Sequence, residues 1–202
     1  EIIHALGLKE DYFGEVFLPG TQHGTLLSEM AERMGIRKGI PVAIGTNDVA
    51  AAQMGAKNMS AGQIMNTAGS SEMVSILTDV PKVNPHYYLR NAALPGLWQI
   101  YATTAGGFVV DWFYHQFCRE LAPEVYFGDY IANALEVHGE DNVVMFDPFL
   151  TGDRQSLEKK TAAWHGLTLA ATREEMLAAM LRSMQGVLST TIHEAGEVVA
   201  LD

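Results

Sequence analysis

The sequence has 202 residues, 48% of them apolar and 18% charged, an ordinary globular mix that excludes long disorder. Against 24 acids stand 13 lysines and arginines, and the resulting charge of −11 would repel a phosphate backbone, which excludes nucleic acid as a partner. The single cysteine, Cys118, excludes an intrachain disulfide framework, and no apolar run approaches the roughly 18–20 residues that span a bilayer.

No basic-then-apolar secretory leader opens the sequence, and it begins at Glu1 rather than Met, which predicts an excised chain. From Glu1 to Gly39 the pattern predicts short helices broken by Gly and Pro, with Ser28 as N-cap and Gly35 as stop of one of them. Ile40–Ile44 is a short apolar run that predicts a buried strand, passing through Gly45–Asp48 into a small-residue helix over Val49–Gly55. Gln63–Thr67 and Met73–Leu77 predict two strands joined by a tight turn over Ala68–Glu72. His86–Arg90 and Leu97–Tyr101 predict two more, joined across Leu94–Gly96.

Helical spacing of Phe108, Val109, Trp112, Phe113, Phe117 and Leu121 predicts a helix from about Thr104 to Leu121. A helix over Tyr126–His138, a strand over Val143–Phe146 and a long Thr172-capped helix to about Val199 follow. Together these elements predict an α/β domain with a mixed sheet and flanking helices.

Polar side chains gather at two junctions. Asp48, at the end of a strand and the start of a helix, is placed to accept a proton from a bound hydroxyl, although Asn47 or Asp48 as a plain N-cap satisfies the same pattern. The turn Asn66–Ser71 offers N–H groups and a Ser hydroxyl to a phosphate, and serves equally as an ordinary hairpin turn. Gly106–Gly107 allows close approach of an anion at a helix start, or simply close packing of helix on sheet. His193–Glu194 lacks the second His of a zinc motif, Ser156–Lys159 lacks the partner motifs of its type, and the scattered histidines predict no metal site. Cys118, on a hydrophobic helix, reads as a small core residue.

In their order, these segments resemble the FGGY carbohydrate kinases, the glycerol, xylulose, ribulose and related sugar kinases of the actin/hexokinase-like (ribonuclease H-like) ATPase superfamily. The resemblance rests on the strand ending Gly45–Thr–Asn–Asp48, the Asn66–Thr–Ala–Gly–Ser70 turn, and Leu94–Pro–Gly–Leu–Trp98 followed by Thr104–Trp112. Pro148–Phe–Leu–Thr–Gly–Asp–Arg154 and Ala162–Leu167 with Glu175–Leu181 complete it, up to Arg182, where the family usually carries an acid. It implies that Asp48 is the catalytic base, that Gly69 and Ser70 meet a nucleotide phosphate, and that Gly107 and Asp111 lie on the nucleotide side. Val49, at a position that often touches substrate, is apolar where xylulose and glycerol kinases carry a polar residue.

The resemblance further implies the tail of a sugar-binding domain over residues 1–59 and the first part of a nucleotide-binding domain over 60–202, the middle of a two-domain kinase. It implies ATP and Mg2+, the metal held mainly by parts outside this chain, a ketopentose or related sugar or polyol, a cytoplasmic location and self-association into a homo-oligomer. The chain alone is expected to be inactive. Val49 and Arg182 keep open an alternative, a catalytically inactive actin-like binding or regulatory module.

Overall fold

The computed structural model describes residues 2–138, 143–153, 156 and 158–202; Glu1 and Arg154 lie outside the described residues. The chain divides into two compact units, residues 1–57 with 93–95, and residues 58–92 with 96–202.

In the first unit, helix α1 (Ile2–Ala5) and a 3-10 turn at Glu10–Tyr12 precede strand β1 (Gln22–Thr25), helix α2 (Ser28–Met34), strand β2 (Pro41–Ala43) and helix α3 (Asp48–Gly55). The N-cap of α2 is Leu27, with no side-chain bond, so Ser28 is the first helical residue and not the cap its type predicts. Gly35 stops the helix in the left-handed conformation, φ +66°. Strand β2 is exposed along its length rather than buried, because it pairs antiparallel with β1 in a two-stranded sheet. Of the apolar side chains in this unit, only Ala31 and Ala50 are buried among the described residues.

The second unit is built on a four-stranded antiparallel sheet in the order β3-β4-β6-β5, with β3 (Ile64–Ala68), β4 (Ser71–Thr78), β5 (Tyr88–Asn91) and β6 (Trp98–Ala105). β4 and β6 pair over eight residues, and Val74–Thr78 of β4 are all buried. Helix α4 (Gly107–Phe117) begins three residues later than its apolar spacing predicts, because Thr104 and Ala105 continue β6 and pair with Glu72 and Ser71. The predicted Tyr126 helix is a continuous run of α5 (Pro123–Val125), a π-turn at Tyr126–Tyr130 and α6 (Ile131–His138). Strands β7 (Met145–Asp147) and β8 (Ala163–His165) form an antiparallel pair. All ladders among the described residues are antiparallel, so the parallel pairing a mixed sheet requires is not among them.

Helix α7 (Arg173–Gly196) holds this unit together. Thr172 accepts the Glu175 N–H, and the Glu175 carboxylate accepts the Thr172 N–H, a capping box that satisfies two orphan donors at the helix start. Leu177, Met180, Met184, Leu188 and Ala195 recur at helical spacing and are buried, giving one apolar stripe in which the buried Thr191 donates its hydroxyl to backbone carbonyls. Its first half packs with Val109, Phe113, Tyr126 and Phe146, and its second half with Ile76, Ile100, Val74 and Ala102 of the sheet. Cys118 is fully buried beside Phe113 in the first of these clusters. No helix among the described residues is long and apolar enough to cross a membrane.

Candidate functional site

In the first unit, the Asn47 side chain accepts the Ala50 N–H at 3.0 Å and so caps α3. This decides between the two cap candidates and leaves Asp48 at the first helical position, exposed to solvent. One Asp48 carboxylate oxygen accepts the Val49 N–H at 2.8 Å, while the other has no side-chain bond among the described residues. The carboxylate is therefore oriented by the backbone, and among the described residues no cation pairs with it. The Val49 side chain is half-buried. Beside this turn, Gly45 and Thr46 line an apolar cavity of about 460 Å³ together with Leu94 and Pro95, so two segments distant in sequence meet in one unit.

In the second unit, the hairpin tip Gly69–Ser70 packs on the start of α4. The Gly107 N–H donates to Gly69 O at 2.8 Å, the Gly106 N–H to Ser70 O at 3.1 Å, and the Phe108 N–H to Ser70 O at 3.4 Å. Gly106 is required by this contact: a Cβ there would lie 2.6 Å from the Ser71 carbonyl carbon and 2.7 Å from Gly69 O, distances no side chain tolerates. The close-packing alternative thus describes Gly106, and the first helical N–H groups are taken by the hairpin's own carbonyls. Ser70 itself is exposed, and its hydroxyl has no partner among the described residues.

Gly69, Gly106 and Gly107 line a cleft of about 340 Å³ whose walls are Val110, Leu181 and Met184. Gly69 and Gly107, singled out separately from the sequence, therefore line one cleft, and the Ser70 carbonyl is bonded to the helix start beside it. Asp111 lies one turn further along α4, largely exposed, 3.5 Å from the imidazole of His115. Arg182 is not at this cleft; it lines a separate groove with Val144 and Phe146. Asp48 and Val49 belong to the other unit.

Sequence reasoning missed Glu72. It stands opposite Ala68 across the hairpin, lines the same cleft, and accepts a hydrogen bond from Asn66 Nδ2 at 2.8 Å. The hairpin register is the signal that finds it, because three residues, Gly69–Ser71, separate the partners and put residue 72 opposite residue 68. Among the described residues no group of three or more His, Cys, Asp and Glu side chains is placed to hold a metal ion.

This arrangement of elements recurs in known proteins. The chain superposes on a xylulose kinase from Rhodospirillum rubrum with a TM-score of 0.83 at 20% identity, covering 97% of this chain and 40% of that one. A gluconate kinase from Lactobacillus acidophilus gives 0.74 at 19% identity, covering 91% of this chain and 37% of that one. The chain has the fold of the FGGY-type carbohydrate kinases. It is also 26% identical over 195 residues to a gluconokinase from Bacillus subtilis (strain 168), across 91% of this chain and 38% of that protein. No family model matches. The chain spans about 40% of the length of the kinases it matches and shares their actin/hexokinase-like fold.

Proposed function

We propose that this chain is the middle of an ATP-dependent carbohydrate kinase, with residues 1–59 the tail of its sugar-binding domain and 60–202 the first part of its nucleotide-binding domain. The observation that supports this most is the meeting of Gly69 and Gly107 at one cleft, with Ser70 bonded through its carbonyl to the same helix start, within a fold shared with xylulose and gluconate kinases. In this reading the exposed Ser70 hydroxyl and the Gly69 backbone meet a phosphate of the nucleotide. Gly107 and Asp111 lie along its nucleotide side.

Asp48 is the general base. Its second carboxylate oxygen, free of side-chain partners among the described residues, takes the proton of the attacking sugar hydroxyl. The hydroxyl oxygen bonds to the γ-phosphorus as the bond from that phosphorus to the β,γ-bridging oxygen breaks, and ADP leaves with the bridging oxygen. Phosphoryl transfer asks the protein mainly for positioning and charge stabilisation, so one oriented carboxylate suffices for the proton. Val49, next to it, offers the substrate a half-buried apolar side chain. Mg2+ would enter with the nucleotide and be held mainly by parts of the kinase outside this chain.

The substrate is a small carbohydrate, a ketopentose or related sugar or polyol; the gluconokinase relative brings sugar acids into the panel to be tested. The 202-residue chain by itself is inactive in this account, since most sugar contacts lie outside it. Asp48→Asn in the complete polypeptide tests the assignment. Sugar-dependent ADP release is expected to fall at least about a hundredfold, the scale of a lost general base, with the melting temperature unchanged. An active Asp48→Asn enzyme would remove Asp48 from the chemistry, and nucleotide binding without turnover on any sugar would favour the inactive module.

A further inference from the structure

The cleft beside Gly69 and Ser70 has a chemical peculiarity. Among the described residues that line it there is no lysine or arginine, and its one ionisable side chain is the acid Glu72. The N–H groups of Gly106, Gly107 and Phe108, the donors nearest to offset a phosphate's charge, are bonded to the carbonyls of Gly69 and Ser70. A carboxylate facing a bare polyphosphate across a small, partly apolar cleft repels it more strongly than in bulk water. The same carboxylate attracts a phosphate group that arrives with a divalent cation, because Mg2+ is held by one or two carboxylates together with substrate phosphates.

From this we propose that Glu72 is a specificity-determining residue that makes the cleft select the metal complex of the nucleotide over the free nucleotide. The inference rests on the nucleotide-cleft reading above. Asn66 donates to one carboxylate oxygen of Glu72 at 2.8 Å, and the other makes no side-chain bond among the described residues. Asn66 is neutral, so it orients the carboxylate toward the cleft without cancelling its charge. The hairpin register sets the distance: Glu72 faces Ala68, immediately before the Gly69–Ser70 tip, so its charge lies beside the phosphate position rather than at the adenine end.

A structural role for Glu72, as mere cross-strand partner of Asn66, predicts differently under substitution. Glu72→Gln keeps a side-chain oxygen to accept from Asn66 and removes only the charge. Asn66→Ala removes the brace and keeps the charge. The test is ADP binding to the complete polypeptide by calorimetry, in excess Mg2+ and in EDTA, for the wild type and both variants. Wild type is expected to bind ADP at least about tenfold more weakly in EDTA, and Glu72→Gln to narrow that ratio to about threefold or less, chiefly by binding free ADP better. Asn66→Ala is expected to retain most of the ratio. An unchanged ratio in Glu72→Gln overturns the proposal while leaving the cleft as a nucleotide site. Loss of the ratio in Asn66→Ala but not in Glu72→Gln overturns it equally, by assigning the effect to hairpin geometry. Absence of ADP binding by the wild type in both buffers overturns the cleft reading itself.

Discussion

Asn47 and Asp48 are both good helix-capping types, and the structure gives the cap to the first and leaves the second with an oxygen to spare. The division has separable consequences. Asn47→Ala is expected to cost about 1 kcal/mol, the usual value of a lost cap, read as a lower melting temperature. Gly106→Ala pushes a methyl into the Ser71 and Gly69 backbone and is expected to destabilise the second unit by about 1–3 kcal/mol. It should also weaken ADP binding, because the hairpin tip must move; calorimetry and thermal melts check both effects. The residues of the candidate site were legible to the extent that they sit in turns with a residue-type signature: Asp48, Gly69, Ser70 and Gly107. Glu72 was not, since a strand residue has no signature of its own and its place depends on which residue it faces across the hairpin.

At the scale of elements, the start of α7 is tied to the end of α4 and to the π-turn by a charged network. Arg173 donates to Glu120 and, at 2.9 Å, to Phe117 O, and its guanidinium lies over the Tyr130 ring. The Tyr130 hydroxyl donates to Glu174 at 2.7 Å. The hydrogen bond from Arg173 holds Glu120 below the usual carboxylate range. Burial pulls Glu174 upward, but the bonds from Tyr130, the backbone and Thr172 outweigh it and leave Glu174 lowered as well. Both groups bind protons less tightly folded than unfolded, so their stabilisation is present above the ordinary glutamate value of about 4.3 and fades as pH falls through the lowered range. Melting temperature is therefore expected to drop on acidification below about pH 4–5, and Arg173→Met is expected to flatten that acid limb. An unchanged limb in Arg173→Met would show that other carboxylates carry it. Burial raises the Tyr130 and Tyr126 hydroxyls, so their contribution is complete below about pH 10 and is lost in alkali as the unfolded phenols ionise. The long helix, its cap and the central hairpin were readable because apolar period and cap chemistry agree there. Strand β1 was not: Gln22–Thr25 has no apolar alternation, carries Gly24 in mid-strand, and is exposed throughout. The same holds for β8, whose three residues are too few to show a period.

For the whole molecule, the two units differ in what they bury. The second has a continuous core along α7, whereas the first leaves Ile2, Leu6, Val16, Leu18, Leu27 and Met34 exposed. An element with little buried apolar surface opens at low free energy. In the isolated chain, amides of β1, β2 and α2 are expected to exchange with solvent well before those of β4, β6 and α7. Equal protection in both units would contradict this ordering. The fold class was legible from the order of motifs along the chain, because each turn motif falls between elements that the same fold requires. The all-antiparallel character of the described ladders was not, since local patterns show that a strand exists but not its neighbour. Phosphoryl transfer to a sugar is the activity proposed for the complete polypeptide. The measurement that tests it most directly is ADP release by the complete polypeptide over ketoses, aldoses, polyols and gluconate, with Asp48→Asn alongside. Release with one class of sugar, and its loss in the variant, is the expected result. ATP binding with no sugar-dependent release on any member of the panel would contradict it.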